Sequence, residues 1–263
     1  MMLIDTHCHL YSKNFDADLP QVVERAVNNE VLKIFLPAID TESHERLHKL
    51  ADTKFNTANP GFEILPMMGV HPCSIKEGFE AELAAALTYL NGGRKYYAVG
   101  EIGLDYYWDL TFKAQQIMAF EKQIEWAVER NLPVVIHSRE STGDCIKSVK
   151  KFEGRVKGIF HCFSGTIEEA KQIAALGMYM GIGGVVTYKK AGLKEILPQI
   201  GIENVVLETD APYLPPAPHR GKRNEPSYTR IVAETVAEAF GLTLEKAAEI
   251  TTANALRVFQ MNS

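Results

Sequence analysis

The tightest constraint on how this chain can fold is an alternation. Eight short apolar runs, at residues 2–4, 33–39, 64–70, 96–102, 132–136, 157–160, 178–182 and 204–207, are separated by longer amphipathic stretches. Several runs are rich in β-branched residues and lack polar alternation, as expected for parallel strands buried on both faces. Helical spacing is plain over 19–29, with Val22, Val23, Ala26 and Val27 on one face, and over 115–129, with Ile117, Met118, Phe120, Ile124, Ala127 and Val128. Thr166 followed by Glu169 has the pattern of a capping box, opening a helix over 166–176. Eight strands alternating with helices predict an α/β fold of the (β/α)8 barrel type, and 263 residues is an ordinary length for one. Helices over 228–240 and 244–259 are expected to close the outer ring. A doubly wound open sheet ranks second, because no Gly-X-Gly-X-X-Gly follows the first strand. No repeat or linker interrupts the chain, so one domain over 1–263 is expected, and a composition 46% hydrophobic supplies its core.

Chemistry gathers where the runs end. The first leads into His7-Cys8-His9, the third into His71, the fourth into Glu101, the fifth into His137, the sixth into His161, and the eighth into Glu208-Thr209-Asp210. On a strand, His7 and His9 face one way and Cys8 the other. Five of the eight histidines therefore sit at strand ends, which in a barrel share the rim where active sites are built. A lone histidine on an apolar strand is usually satisfied by one backbone partner. Five on one rim with two carboxylates indicate a metal. Imidazole and carboxylate without thiolate suit zinc, manganese, nickel or iron, and suit magnesium less well. Six candidate ligands are more than one four-coordinate ion with an open position needs. Two ions sharing a carboxylate fit better, and such a pair polarises a substrate oxygen and supplies hydroxide near neutral pH.

The remaining composition excludes other classes. Cys8, Cys73, Cys145 and Cys162 form no Cys-X-X-Cys pair, which argues against a zinc knuckle and for a reduced, cytoplasmic setting. No run approaches the length of a membrane span, and no basic region followed by a long apolar segment opens the chain. At a net charge of −5, any polyanionic substrate must be held by a local patch or by bound cations.

His7-Cys8-His9, Gly69-Val70-His71-Pro72, Gly100-Glu101-Ile102-Gly103-Leu104-Asp105-Tyr106-Tyr107, His137-Ser138-Arg139, His161-Cys162-Phe163-Ser164-Gly165 and Glu208-Thr209-Asp210-Ala211-Pro212-Tyr213-Leu214, with Arg223-Asn224-Glu225-Pro226, resemble the TatD family. These are metal-dependent deoxyribonucleases of the amidohydrolase superfamily. The resemblance runs from residue 4 to residue 259, in the family's order, with no departure at the ligand positions. It implies a distorted TIM barrel hydrolysing phosphodiester bonds of DNA, 3′ to 5′ on single strands or frayed ends, with no membrane and no obligatory protein partner. It further implies two divalent ions (zinc, manganese, magnesium or nickel). His7, His9, Glu101 and Asp210 would surround one, and Glu101, His137 and His161 the other.

Chemistry assigns roles within that set. Glu101 bridges the ions and lowers their repulsion, and Asp210 binds one of them while acting as general base toward the attacking water. Glu208, two residues before Asp210, orients a histidine ligand from behind. His71, Arg139, Arg223 and Asn224 are the expected substrate contacts, Arg139 through a bidentate phosphate contact. The loop over 212–226 is read as a substrate loop, locally basic at Arg220, Lys222 and Arg223, with Lys189-Lys190 a second basic spot. Tyr106, Tyr107, Trp108 and Tyr213 are candidates to stack on unpaired bases. The alternative is a metal-dependent amidohydrolase or esterase acting on a small amide, lactone or aminoacyl-tRNA ester. Glu101, standing where many such enzymes carry a carboxylated lysine, argues against it. A barrel that merely sequesters metal is the other class weighed, and nothing in the sequence removes its base or its ligands.

Overall fold

The alternation becomes a barrel in the computed structural model, which describes residues 1–261. Parallel strands β1 (Leu3–Asp5), β2 (Val31–Leu36), β3 (Glu63–Pro66), β4 (Val99–Asp105), β5 (Val134–Arg139), β6 (Gly158–Phe160), β7 (Tyr179–Ile182) and β8 (Val205–Leu207) neighbour one another in chain order. Regular ladders run from β1 to β3 and from β4 to β8. Irregular backbone joins the two arcs. At one seam the Tyr97 amide donates to the Pro66 carbonyl and the Gly100 amide to the Met68 carbonyl, both at 3.0 Å. At the other the Thr6 amide donates to the Leu207 carbonyl at 3.0 Å, and the Asp210 amide to the His7 carbonyl at 2.9 Å. The result is a distorted TIM barrel.

Helices α1 (Leu19–Asn28), α2 (Thr41–Asp52), α3 (Phe79–Asn91), α4 (Lys113–Glu129), α5 (Thr142–Lys150), α6 (Ile167–Ala175) and α7 (Leu193–Ile200) follow the first seven strands, and α8 (Thr229–Phe240) and α9 (Leu244–Val258) follow β8. The capping box forms: the Thr166 hydroxyl accepts from the Glu169 amide at 3.2 Å, and the Glu169 carboxylate accepts from the Thr166 amide at 2.8 Å. None of these helices is long and apolar enough to cross a membrane.

One apolar cluster fills the barrel, drawing Ile4, Phe35, Leu65, Val135, Ile159 and Val206 from six strands. A larger one lies between strands and helices. The end of α9 departs from the expected outer ring. Ala255, Leu256, Val258 and Phe259 belong to the interior cluster, and the Phe259 ring stacks on Phe35 with centroids 3.7 Å apart. The last helix thus seals the barrel floor.

Two strands differ from their apolar runs in ways that matter for the site. The run at 96–102 stops near Glu101, but β4 continues to Asp105, so Glu101 lies within the strand rather than at its end. The run at 64–70 gives only four residues of β3, and the rest reaches the rim as irregular backbone. Gly103 (φ +142°) permits close pairing of β4 with β5, because a Cβ there would stand 2.0 Å from the His137 carbonyl oxygen.

Candidate metal centre

The mouth at the carboxyl ends of the strands brings together His7, His9, Glu101, His137, His161 and Asp210. His7 and His9 follow β1, side by side on one face, with their Nε2 atoms 3.3 Å apart. Glu101, buried at the centre, presents its two oxygens to different partners. Oε2 lies 3.2 Å from His7 Nε2 and 3.5 Å from His9 Nε2. Oε1 lies 2.8 Å from His161 Nε2, 3.0 Å from His137 Nδ1 and 3.3 Å from His71 Nε2. Asp210 completes the first side, with Oδ1 3.4 Å from His9 Nε2 and 3.7 Å from His7 Nε2. His161 spans both, since its ring stacks on His7 at 3.8 Å and its Nε2 approaches His137 Nδ1 at 3.4 Å.

Hydrogen bonds behind the rings decide which nitrogens keep a lone pair. The Tyr11 hydroxyl donates to the Pro37 carbonyl at 2.7 Å, so at 3.0 Å it can only accept from His9 Nδ1, which leaves His9 Nε2 bare. Asp105 Oδ2 accepts a hydrogen bond from His137 Nε2 at 2.9 Å and keeps the proton on that nitrogen, which turns the Nδ1 lone pair inward. His71 is set the opposite way. Its Nδ1 accepts from the Cys73 amide at 3.1 Å; the neutral ring therefore carries its proton on Nε2, and burial lowers its pKa and keeps it neutral. His71, Glu101 and His137 have ligand atoms within 4.8 Å of one another, as do His7, His9 and Glu101, and His7, His161 and Asp210. A protonated Nε2 nevertheless makes His71 a donor rather than a ligand.

The electrostatics show what the cluster lacks. Burial drives the Glu101 carboxyl upward, yet the imidazoles of His161, His71 and His7 outweigh it and hold the group well below its ordinary range. Burial lowers His161, but Glu101 overrides it and raises that imidazole well above normal. His7 is lowered by burial and by His161, and Asp210, raised by burial, ends lowered through His9 and His161. Among the described residues, no lysine or arginine pairs with Glu101 or Asp210; their ion-pair partners are all histidines. Converging imidazole lone pairs around carboxylates without a basic partner fit divalent cations with nitrogen and oxygen preference.

Positions behind the ligands differ from expectation in several places. Glu208 is fully buried, accepts from the Cys162 amide at 2.7 Å and stands 3.6 Å from His161 Nδ1. Room for it comes from Gly181, where a Cβ would lie 2.1 Å from Glu208 Oε2. Arg223, expected at the substrate, is turned away: its guanidinium holds Asp18 at 2.7 and 2.8 Å and lies over the Phe15 ring. Asn224 is fully buried and donates to the Thr209 and Tyr213 carbonyls at 2.8 and 2.6 Å. Asn224 thereby fastens the loop that carries Asp210, whose own backbone sits in the left-handed region (φ +57°). The Arg139 guanidinium lies over Tyr107, 3.7 Å from the ring centre.

Two acidic residues have roles that the sequence did not assign, although Asp105 belongs to the motif around Glu101. Asp105 stands four residues after Glu101 on the same strand, a same-face spacing that could have flagged it. Asp5, just before His7, accepts from the His7 amide at 3.2 Å and from the Thr209 amide and hydroxyl at 3.0 and 2.5 Å, tying β1 to the segment after β8. Burial pushes its pKa up to about 8.

A sequence profile described as TatD related DNase matches residues 4–260. The chain belongs to the TatD family. It is 40% identical to the uncharacterized metal-dependent hydrolase YabD of Bacillus subtilis, over 99% of this chain and 100% of that one. It is 32% identical to the 3′-5′ ssDNA/RNA exonuclease TatD of Pantoea vagans, over 98% of this chain and all of the relative. The solved structure of YJJV, a TATD homolog from Escherichia coli K12, superposes with a TM-score of 0.90 at 27% identity, covering 99% of this chain and 98% of that one. A TatD-family barrel with this donor set is a metal-dependent hydrolase.

Proposed function

We propose that this TatD-family hydrolase cleaves phosphodiester bonds at the free ends of single-stranded DNA, using two divalent cations. The observation that carries the reading is the two-sided placement of Glu101. One of its oxygens faces His7 and His9, while the other faces His137 and His161. A carboxylate so placed would bridge two ions. His7, His9 and Asp210 would complete one set and His137 and His161 the other.

When bound, such cations polarise a phosphate oxygen and make water nucleophilic near neutral pH. The chain's own groups perform the remaining work. Asp210, held beside His9, accepts the proton of the attacking water. His71, whose Nε2 proton faces Glu101 Oε1 at 3.3 Å, would turn that proton to a non-bridging phosphate oxygen when substrate binds and so steady charge that grows during attack. Asp105 and Tyr11 keep His137 and His9 in the ligating tautomer. Glu208 does the same for His161 once their 3.6 Å contact tightens.

Support for nucleic acid over a small amide or ester comes from Glu101 in the bridging place and from relatives named 3′-5′ ssDNA/RNA exonuclease TatD in Pantoea vagans and Erwinia billingiae. The test is a 5′-labelled single-stranded oligonucleotide, given to chelator-treated protein and to protein reloaded with magnesium, manganese, zinc or nickel. A ladder shortening from the 3′ end is expected only after reloading. DNA left intact under all four cations would overturn the reading. A parallel RNA strand measures the preference between the two polymers.

A further inference from the structure

Exposed aromatic residues stand at two places near the metal centre: Tyr213, 55% exposed with its ring 5.8 Å from that of His9, and a pair just beyond β4. Tyr107 and Trp108 follow that strand directly, 50% and 69% exposed, with rings edge to face at 4.8 Å. Adjacent exposed rings make a contiguous apolar surface, the kind that marks a contact site. They are not loose. Asp105 Oδ1 accepts from the Tyr107 amide at 3.0 Å and weakly from the Trp108 amide at 3.4 Å, while its other oxygen holds His137 at 2.9 Å. One carboxylate therefore fixes both a ligand candidate of the metal centre and the backbone under two exposed rings. Arg139 lies over the Tyr107 ring at 3.7 Å and 5.2 Å from the Trp108 ring centre, with no carboxylate partner among the described residues. It also lines an open cleft of about 680 Å³, together with Ser138, Lys113 and Thr142. Tyr106 is different: its hydroxyl donates to Asp144 at 3.1 Å and Lys113 covers its ring.

We infer that Tyr107, Trp108 and Arg139 form a ledge on which an unpaired nucleobase of the substrate strand stacks, held in register with the metal centre by Asp105. The Trp108 ring and the guanidinium plane layered on Tyr107 offer flat surfaces that accept any base, and the guanidinium adds attraction to the ring and to the adjoining phosphate. A paired base cannot offer its face, so the ledge would select single strands and frayed ends. The inference rests on the nuclease reading above and names where the strand is gripped.

Fluorescence tests it without turnover. Of the two tryptophans, Trp126 is buried and Trp108 is exposed, so base stacking is read from Trp108 emission. Titrating metal-free protein with a short oligothymidylate should quench that emission to saturation. Tyr107→Ala, which keeps the reporter, should weaken the apparent Kd about tenfold, within the 1–3 kcal/mol typical of a stacked base. In the metal-loaded protein, Trp108→Ala should lower the preference for the oligonucleotide over bis(p-nitrophenyl) phosphate by a similar factor. Met118→Ala, on the exposed face of α4, is the control for a lost surface side chain. DNA cleavage without any quench, or with a Kd unmoved in Tyr107→Ala, overturns the ledge and leaves the nuclease reading standing. Protein that cleaves the small diester but neither binds nor cleaves DNA overturns both.

Discussion

The two ends of the barrel are built on opposite rules. At the floor, Phe35, Leu65, Val206 and the end of α9 form an apolar plug with Phe259 stacked on Phe35. At the mouth, strand ends carry imidazoles and carboxylates whose buried polar atoms are incompletely matched: among the described residues, His7 Nδ1, His161 Nδ1 and Glu208 Oε2 have no hydrogen-bond partner. Buried polar groups are normally paired, so the floor holds the fold together while the mouth is tolerated for its chemistry. A few residues along one strand separate these regimes. In β5, Val135 belongs to the interior cluster and His137, two positions on, faces Glu101.

The largest effect that would sharpen this contrast is expected from Asp210→Asn, which should lower kcat by about 10²–10⁴-fold, the usual range for a general base, with the melting temperature of the chelator-treated protein unchanged. An equal loss of stability would place Asp210 among the structural residues instead. The mirror experiment is Phe259→Ala, which should cost about 3–5 kcal/mol in urea unfolding while the folded fraction keeps its kcat. Chelation comes next. Cations present at a hundred times their Kd stabilise by about 2.7 kcal/mol; that increment should vanish with chelator, persist in Phe259→Ala and be absent in Glu101→Gln. Asp105→Asn should weaken metal affinity or activity about 10–100-fold, as is common for a carboxylate behind a ligating histidine; metal analysis by competition reads it.

The smallest effect concerns the lip of the mouth. Bonds from Arg223 and then Arg25 depress Asp18 to about 2 from its ordinary 3.8. A carboxyl depressed on folding adds stability above its unfolded pKa and loses it as pH falls through the folded one. The contribution should therefore be full above pH about 4 and fade toward pH 2. Asp18→Asn should flatten this part of the stability profile. Phe35, Leu65, Val206 and Phe259 of the floor do not titrate, so a matching acid response in Phe259→Ala would show that the ends are less separate than their composition suggests.

Much of the barrel was readable because buried parallel strands are apolar on both faces and interrupt the helical rhythm. The ligands were readable because histidine is rare on such strands and five of them stood at their ends. What escaped reading depends on partners distant in the chain. Arg223 looked like part of a basic substrate patch until Asp18, 205 positions earlier, was seen to occupy its fork. Asn224 looked like a substrate contact, yet its amide is consumed by two loop carbonyls. Asp105 and Tyr11 were overlooked for another reason: their roles lie in which ring nitrogen keeps a proton, and no periodicity records a tautomer. Glu101 was located, but at the end of a strand that continues to Asp105, since a charged residue in a buried strand interrupts the apolar run that marks it.

The seam between Asp5 and Thr209, 204 positions apart, also sets an order of assembly. His7 and His9 leave the ribosome before Asp210 and the amides that steady its turn, with most of the barrel made in between. A nascent chain halted before β8 would carry every ligand candidate except Asp210 and would lack the Thr209 partner of Asp5, so capture of ions in their final positions must wait for β8 and the turn that follows it.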